Sequence, residues 1–243
     1  MGEAKRRSKT GKPQPAGHSQ GKPWLVIGVI AVILAVIGGV FYVTRLPAPD
    51  SDALPVAAAD AKPFPAGLDQ YGISIGSDSA PVVVREFADY QCPACGRFSS
   101  ASERLRADFV AAGQVRFVYF DLPLDQHANA MPAAEAARCA GDQGKFWPMQ
   151  ERLFANQADW SESGAPLDIF SRYAGDMGLD ERRFRQCMST ELHREAILQS
   201  RNVAVRLKVT STPTVLVNNI HLTRPGWPQL SGVVNRELSA VSE

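Results

Sequence analysis

The chain is 243 residues long, 45% hydrophobic and 21% charged, which suits a globular protein with room for one large domain or two small ones. Its net charge of +1 is unevenly spread: Lys5, Arg6, Arg7, Lys9, Lys12 and Lys22 against Glu3 leave the first 44 residues at +5 and the remainder at −4. A mildly acidic remainder argues against nucleic acid as the main partner.

Residues 1–23 are polar, basic and rich in Gly, Pro and Ser, the composition of a disordered tail. Residues 24–43 follow without a single charge. At about 1.5 Å rise per residue they span roughly 30 Å, the thickness of a bilayer core. Trp24 and Tyr42 stand near the two ends, as interfacial aromatics do. A buried core helix and a cleaved signal peptide are the rival readings. Secretory apolar cores run to about 7–15 residues, and the nearest small-residue site, Ala57-Ala58-Ala59, lies well past this run. The segment therefore reads as an uncleaved signal anchor that places residues 24–43 in the lipid bilayer. Six Lys/Arg precede it, and only Arg45 and Lys62 lie in the 26 residues after it. The positive-inside rule puts the N-terminus in the cytoplasm and the rest on the periplasmic or extracytoplasmic side of the inner membrane, single-pass. Disulfides persist there.

Residues 44–70 carry Pro47, Pro49, Pro55, Pro63 and Pro65 among many alanines, and read as an extended tether. The folded domain is expected over 71–243. Residues 73–75 form a short strand, and 82–88, almost wholly apolar or β-branched, a central one. Phe98, Ala101, Leu105, Phe109 and Ala112 make one helical stripe, closed by Gly113 as the C′ residue. A second strong strand covers 115–120, which completes a βαβ unit. The pattern then turns helical, with runs at 128–140, 146–155, 166–177, 181–188 and 191–208. Strands return at 214–217 and 220–222, and a last helix covers 228–240. The fold class is α/β, with a helical insertion at about 122–208.

Cys92-Pro93-Ala94-Cys95 lies where the central strand gives way to the helix. A sulfur at a helix N-terminus faces unpaired N–H groups and the positive end of the dipole, which favour its thiolate. Pro93 fits the first helical position. Cys92 is then the exposed, attacking sulfur, and Cys95, one turn in, resolves the mixed disulfide. The pair is also half of a zinc ribbon, but no second Cys-x-x-Cys follows and Cys139 and Cys187 stand apart, so no metal is expected. Glu86, six residues before Cys92 in the apolar strand, is either a partly buried carboxylate with a raised pKa or an exposed strand end. In the first case it can relay a proton to Cys95. Pro213 opens a strand after Thr212, a place that accepts either a cis or an ordinary trans peptide. His127 can begin the first insertion helix, and His193 and His221 stand isolated.

Three segments carry a family resemblance: Glu86-Phe87-Ala88-Asp89-Tyr90-Gln91-Cys92-Pro93-Ala94-Cys95, then Gln143-Gly144-Lys145-Phe146-Trp147, then Ser211-Thr212-Pro213-Thr214. From about Tyr71 to the C-terminus the chain resembles the DsbA-like thiol:disulfide oxidoreductases of the thioredoxin fold. The resemblance implies a thioredoxin-like fold with an inserted helical domain, Cys92 as nucleophile, Cys95 as its resolving partner and Glu86 as the buried carboxylate. It also implies a cis Pro213 packed on the pair, with the Thr212 backbone bonding a substrate strand. Cys139 and Cys187 read as a structural disulfide clamping the insertion, with a second redox pair or two free thiols as alternatives. The best-known oxidases have Pro-His between the cysteines. Ala94 lacks the histidine's stabilisation of the thiolate, so a less oxidising pair is expected.

These features together imply a thiol:disulfide oxidoreductase without a cofactor. Its partners would be exported proteins bearing cysteine thiols or disulfides, and a membrane redox partner that resets the Cys92–Cys95 pair. An extracytoplasmic reductase or isomerase is the alternative enzyme reading, and a non-catalytic chaperone or metallochaperone the alternative outside enzymes.

Overall fold

The computed structural model describes residues 23–44 and 53–241. The basic tail up to residue 22 and the tether stretch 45–52, with Pro47 and Pro49, lie outside the described residues. The chain divides into two units, Met1–Ala53 and Leu54–Glu243. Apart from Ala53, the described part of the first is helix α1, Pro23–Thr44. Ile30, Val32, Ile33, Leu34, Val36 and Ile37 all hold exposed apolar side chains on it. Over the described residues alone, no helix is long and apolar enough to cross a membrane.

The second unit is built on a sheet of β1 (Ile73–Ile75), β2 (Val82–Ala88), β3 (Val115–Asp121), β4 (Thr214–Val217) and β5 (Ile220–His221). The strand order is β1-β3-β2-β4-β5. β2 and β3 run parallel, paired from Val82↔Val115 to Ala88↔Asp121, and the remaining pairs are antiparallel. Central β2 is covered on both faces, which is why its sequence is nearly continuous in apolar residues. With a side-chain period of two, Val82, Val84 and Ala88 enter the larger core, while Phe87 joins Val118, Phe120, Val203 and Ala204 in a smaller core on the other face.

Helix α2, Pro93–Leu105, runs on through a π turn, Arg106–Val110, and the chain reverses at Gly113 with φ 72°. The insertion consists of α3 (Ala130–Gly141), α4 (Phe146–Ala155), α5 (Gln157–Trp160), α6 (Pro166–Asp176), α7 (Glu181–Ser189) and α8 (Arg194–Arg206). Helix α9, Trp227–Val241, closes the fold. The last insertion helix starts at Arg194 rather than 191, because Glu191 takes φ 47° in the turn after α7. Phe146 and Trp147 meet edge-to-face at 5.0 Å, and Trp147 also packs on Phe117.

The tether reading of 44–70 needs correction over its second half. Leu68 is buried in a short 3-10 turn, Leu68–Tyr71, and Phe64 packs against the smaller core. The Phe64 N–H donates to Asn219 Oδ1 at 3.0 Å. Arg85, on the smaller-core face of β2, holds both Asp69 oxygens at 2.7 and 2.8 Å and lies 3.9 Å over the Phe64 ring. A Cβ at Gly232 of α9 would come within 2.8 Å of Leu54 Cδ2, so this glycine lets the strap approach the helix. A few apolar side chains and one bidentate arginine dock a segment whose prolines keep it out of strands and α-helices, leaving the one 3-10 turn.

Candidate active site

The turn between β2 and α2 is fixed before the cysteines are reached. Asp89, with a buried side chain, accepts the Gln91 N–H on Oδ1 (2.7 Å) and the Leu124 N–H on Oδ2 (2.8 Å). His127 Nδ1 meets the same Oδ2 at 2.8 Å, so this histidine braces the turn; α3 begins only at Ala130. Gln157, on the four-residue α5, donates from Nε2 to the carbonyls of Tyr90 (2.6 Å) and Cys92 (3.0 Å). Gly96 makes room for it: a Cβ there would lie 3.0 Å from Gln157 Oε1. Tyr90 stacks on Phe154 of α4 at 5.0 Å. The insertion thus supplies one wall of the site.

Cys92 caps α2 from an extended backbone (φ −70°, ψ 122°), with Pro93 following in the first turn. Both cysteines are free thiols and both are buried, Cys95 fully and Cys92 at 9% exposure, so the outer sulfur is less open than the sequence suggests. Opposite them the Thr212–Pro213 peptide is cis, and the Thr212 carbonyl lies 3.6 Å from Cys92 Sγ. That carbonyl can accept only from the protonated thiol, so the contact belongs to the neutral form. Thr214 Oγ1 donates to the Ser211 carbonyl at 2.7 Å and ties the loop down.

The Cys92 thiol is pulled down to about 4, chiefly by a hydrogen bond from the Cys95 thiol. Burial opposes this, and the Thr212 side chain and the N–H groups of Cys95 and Ala94 reinforce it. Cys95 moves far upward, first through burial and then through its bond to Cys92. At neutral pH the pair holds one proton, on the inner sulfur, and one charge, on the outer.

Glu86 is 1% exposed and pairs in register with Tyr119 and Val215 on the flanking strands. Burial raises its pKa to about 7, against the lowering effects of the Ser102 hydrogen bond (2.5 Å to Oε2) and the Arg106 charge. Its charge is among the influences that hold Cys95 protonated. Glu86 also lines a narrow cleft with Ser99, Ser102, Glu103, Gln150 and Glu151. Folded chain retains a proton here that unfolded chain sheds between about pH 4.5 and 7. Its stabilising contribution is complete below pH 4.5 and lost as pH rises through 7. Glu86→Gln should flatten this fall, worth about 3 kcal/mol, when urea unfolding is compared at pH 4 and pH 8. An unchanged slope would place the carboxylate's proton elsewhere.

Cys139 on α3 and Cys187 on α7 are joined in a disulfide, with Cα atoms 5.9 Å apart. Asp89, His127 and Gln157 bear directly on the site, yet sequence reading gave neither Asp89 nor Gln157 a role. Asp89 carried a usable signal, a carboxylate directly after a buried strand and three residues before Cys92. Gln157 carried none.

A family model described as Thioredoxin matches residues 69–236. The Na(+)/H(+) antiporter NhaA 3 of Salinispora tropica is 40% identical over 144 residues, which cover 59% of this chain and 21% of the antiporter. The chain thus spans about a fifth of the length of such relatives. The "Probable disulfide bond formation protein D" of Bacillus cereus is 26% identical over 169 residues, covering 68% of this chain and 78% of that protein. The crystal structure of alpha-DsbA1 from Wolbachia pipientis superposes with a TM-score of 0.63 at 18% identity, over 74% of this chain and 94% of that one. The chain belongs to the thioredoxin family, and its fold is the DsbA-like form with helices inserted between the two halves of the sheet.

Proposed function

We propose that this chain is a membrane-anchored thiol:disulfide oxidoreductase that forms disulfides in exported proteins. The observation that carries the reading is the division of labour between the sulfurs, a stabilised outer thiolate on Cys92 and a buried, protonated Cys95 beside the Thr212–Pro213 loop. In the oxidised enzyme a substrate thiolate attacks Cys92 Sγ, the Cys92–Cys95 bond breaks, and Cys95 leaves with the electron pair. Glu86, with a pKa near 7, supplies the proton that Cys95 takes up. A second substrate thiolate attacks the substrate sulfur of the mixed disulfide and expels Cys92, whose low pKa makes it a good leaving group. The substrate has lost two electrons, the enzyme has gained them, and a membrane redox partner removes them. Thr212 and Pro213 hold the substrate strand across the sulfurs.

The charge-free run 24–43, the apolar side chains displayed along α1 and the basic residues before it support the anchor and its orientation. The name of the Bacillus cereus relative supports the direction of transfer. The test is the reduction potential of the Cys92–Cys95 pair, equilibrated against glutathione. A value between those of thioredoxin (about −270 mV) and DsbA (about −120 mV) is expected, because the thiolate is stabilised without the histidine. A value at or below thioredoxin's would overturn the oxidase direction and favour a reductase.

A further inference from the structure

The second cysteine pair has company that its sequence context did not suggest. The turn between α7 and α8 brings a ring nitrogen of His193 within 4.8 Å of both sulfurs. Asp142, just past α3, places Oδ2 2.8 Å from His193 Nε2 and 3.7 Å from Cys187 Sγ. The His193 N–H donates to Glu135 Oε2 at 3.2 Å, which pins the turn. Both sulfurs are buried, while Asp142, Cys139 and Cys187 line an open cavity of about 250 Å³ bordered by Arg183.

We propose that the Cys139–Cys187 bond masks a Zn²⁺-type metal site, which opens when the bond is reduced. In the oxidised chain the two sulfurs are spent on each other. An external dithiol transfers two electrons and two protons to the bond, giving two thiols and leaving as its own disulfide. The metal then displaces both thiol protons to solvent. The resulting donors are two thiolates, one imidazole and one carboxylate, a set that suits tetrahedral zinc. Usual zinc–ligand distances imply donor separations of roughly 3.3–3.8 Å. Apart from the S–S bond itself, the present spacings run from 2.8 Å between His193 Nε2 and Asp142 Oδ2 up to 4.8 Å among His193 and the two sulfurs, so the side chains shift when the reduced site closes on a metal. Arg183 offsets the net negative charge of the filled site. The metal would take over the clamp between α3 and α7 that the disulfide provides, whatever the state of Cys92 and Cys95.

The test uses the full chain in a mild detergent, carrying Cys92→Ser and Cys95→Ser so that only Cys139 and Cys187 yield thiols. After reduction by a phosphine and removal of the reductant without air, Co²⁺ is titrated as the probe. The reduced chain should bind one equivalent with thiolate charge-transfer and tetrahedral d–d bands, and Zn²⁺ should displace it. The oxidised chain should show neither band. His193→Ala, which keeps the disulfide and so can be checked for native circular dichroism when oxidised, should weaken binding by more than about 100-fold, beyond the usual loss from an outer-shell change. Unaltered affinity in His193→Ala, no bands in the reduced chain, or loss of helical signal on reduction even with Zn²⁺ present would each overturn the site.

Discussion

Cys92→Ser should reduce disulfide transfer to a reduced, unfolded substrate by at least about four orders of magnitude, the scale on which losing a nucleophile tells. Serine is itself a favoured N-cap residue, so α2 should keep its start and the fold its stability. The hydroxyl cannot enter a disulfide, and Cys95 offers no detour because it is fully buried and holds its proton. Cys95→Ser should fail differently. The outer thiolate survives and attacks substrate disulfides, but nothing resolves the product, so a mixed disulfide accumulates that dithiothreitol releases. Non-reducing electrophoresis separates the two variants: an adduct band for Cys95→Ser and none for Cys92→Ser. Activity above a few per cent in Cys92→Ser, or adducts in both, would mean that the assignment of outer and inner sulfur is wrong.

The parts of this architecture that local pattern determines could be read without coordinates. The apolar run in β2, the stripe from Phe98 onward and the Cys-Pro-Ala-Cys at their junction all express periods of two or 3.6 residues and a capping rule, and these need no distant partner. The near-neutral proton affinity of Glu86 was legible in part, since its parity with Val82 and Val84 allowed burial, but only the flanking strands decided it. The partners of the braces were not legible. Asp89 meets Leu124 and His127, and Gln157 meets Tyr90 and Cys92, across 35 to 67 positions of sequence. Nothing in composition encodes such pairings. The docking of residues 54–70 was not legible for a related reason: prolines and alanines indicate the absence of strands and α-helices, which is a different property from the absence of contacts. Ala94 shows that a histidine's contribution is missing. It does not show that Cys95 and two backbone N–H groups bring Cys92 to about 4 without one.

Replacing Cys139 and Cys187 together by alanine should lower stability by about 4 kcal/mol in the absence of added metal. The bond closes a loop with a sequence separation of 48, and the loop-closure entropy it removes from the unfolded chain has that size. The loss should fall on the insertion first, because the bond ties α3 to α7 and Cys139 and Cys187 are also core residues. Denaturant unfolding followed by circular dichroism gives the total, and hydrogen exchange should show α6, α7 and the following turn opening before the sheet. The consequence reaches the active site by a definite route. α3 packs on α4, α4 carries Phe154 against Tyr90, and Gln157 immediately beyond holds the Cys92 carbonyl. A loosened insertion should therefore raise the pKa of Cys92 as the turn before it relaxes. A variant that lost its 4 kcal/mol yet kept the Cys92 titration midpoint near 4 would show that the sheet alone holds the reactive turn.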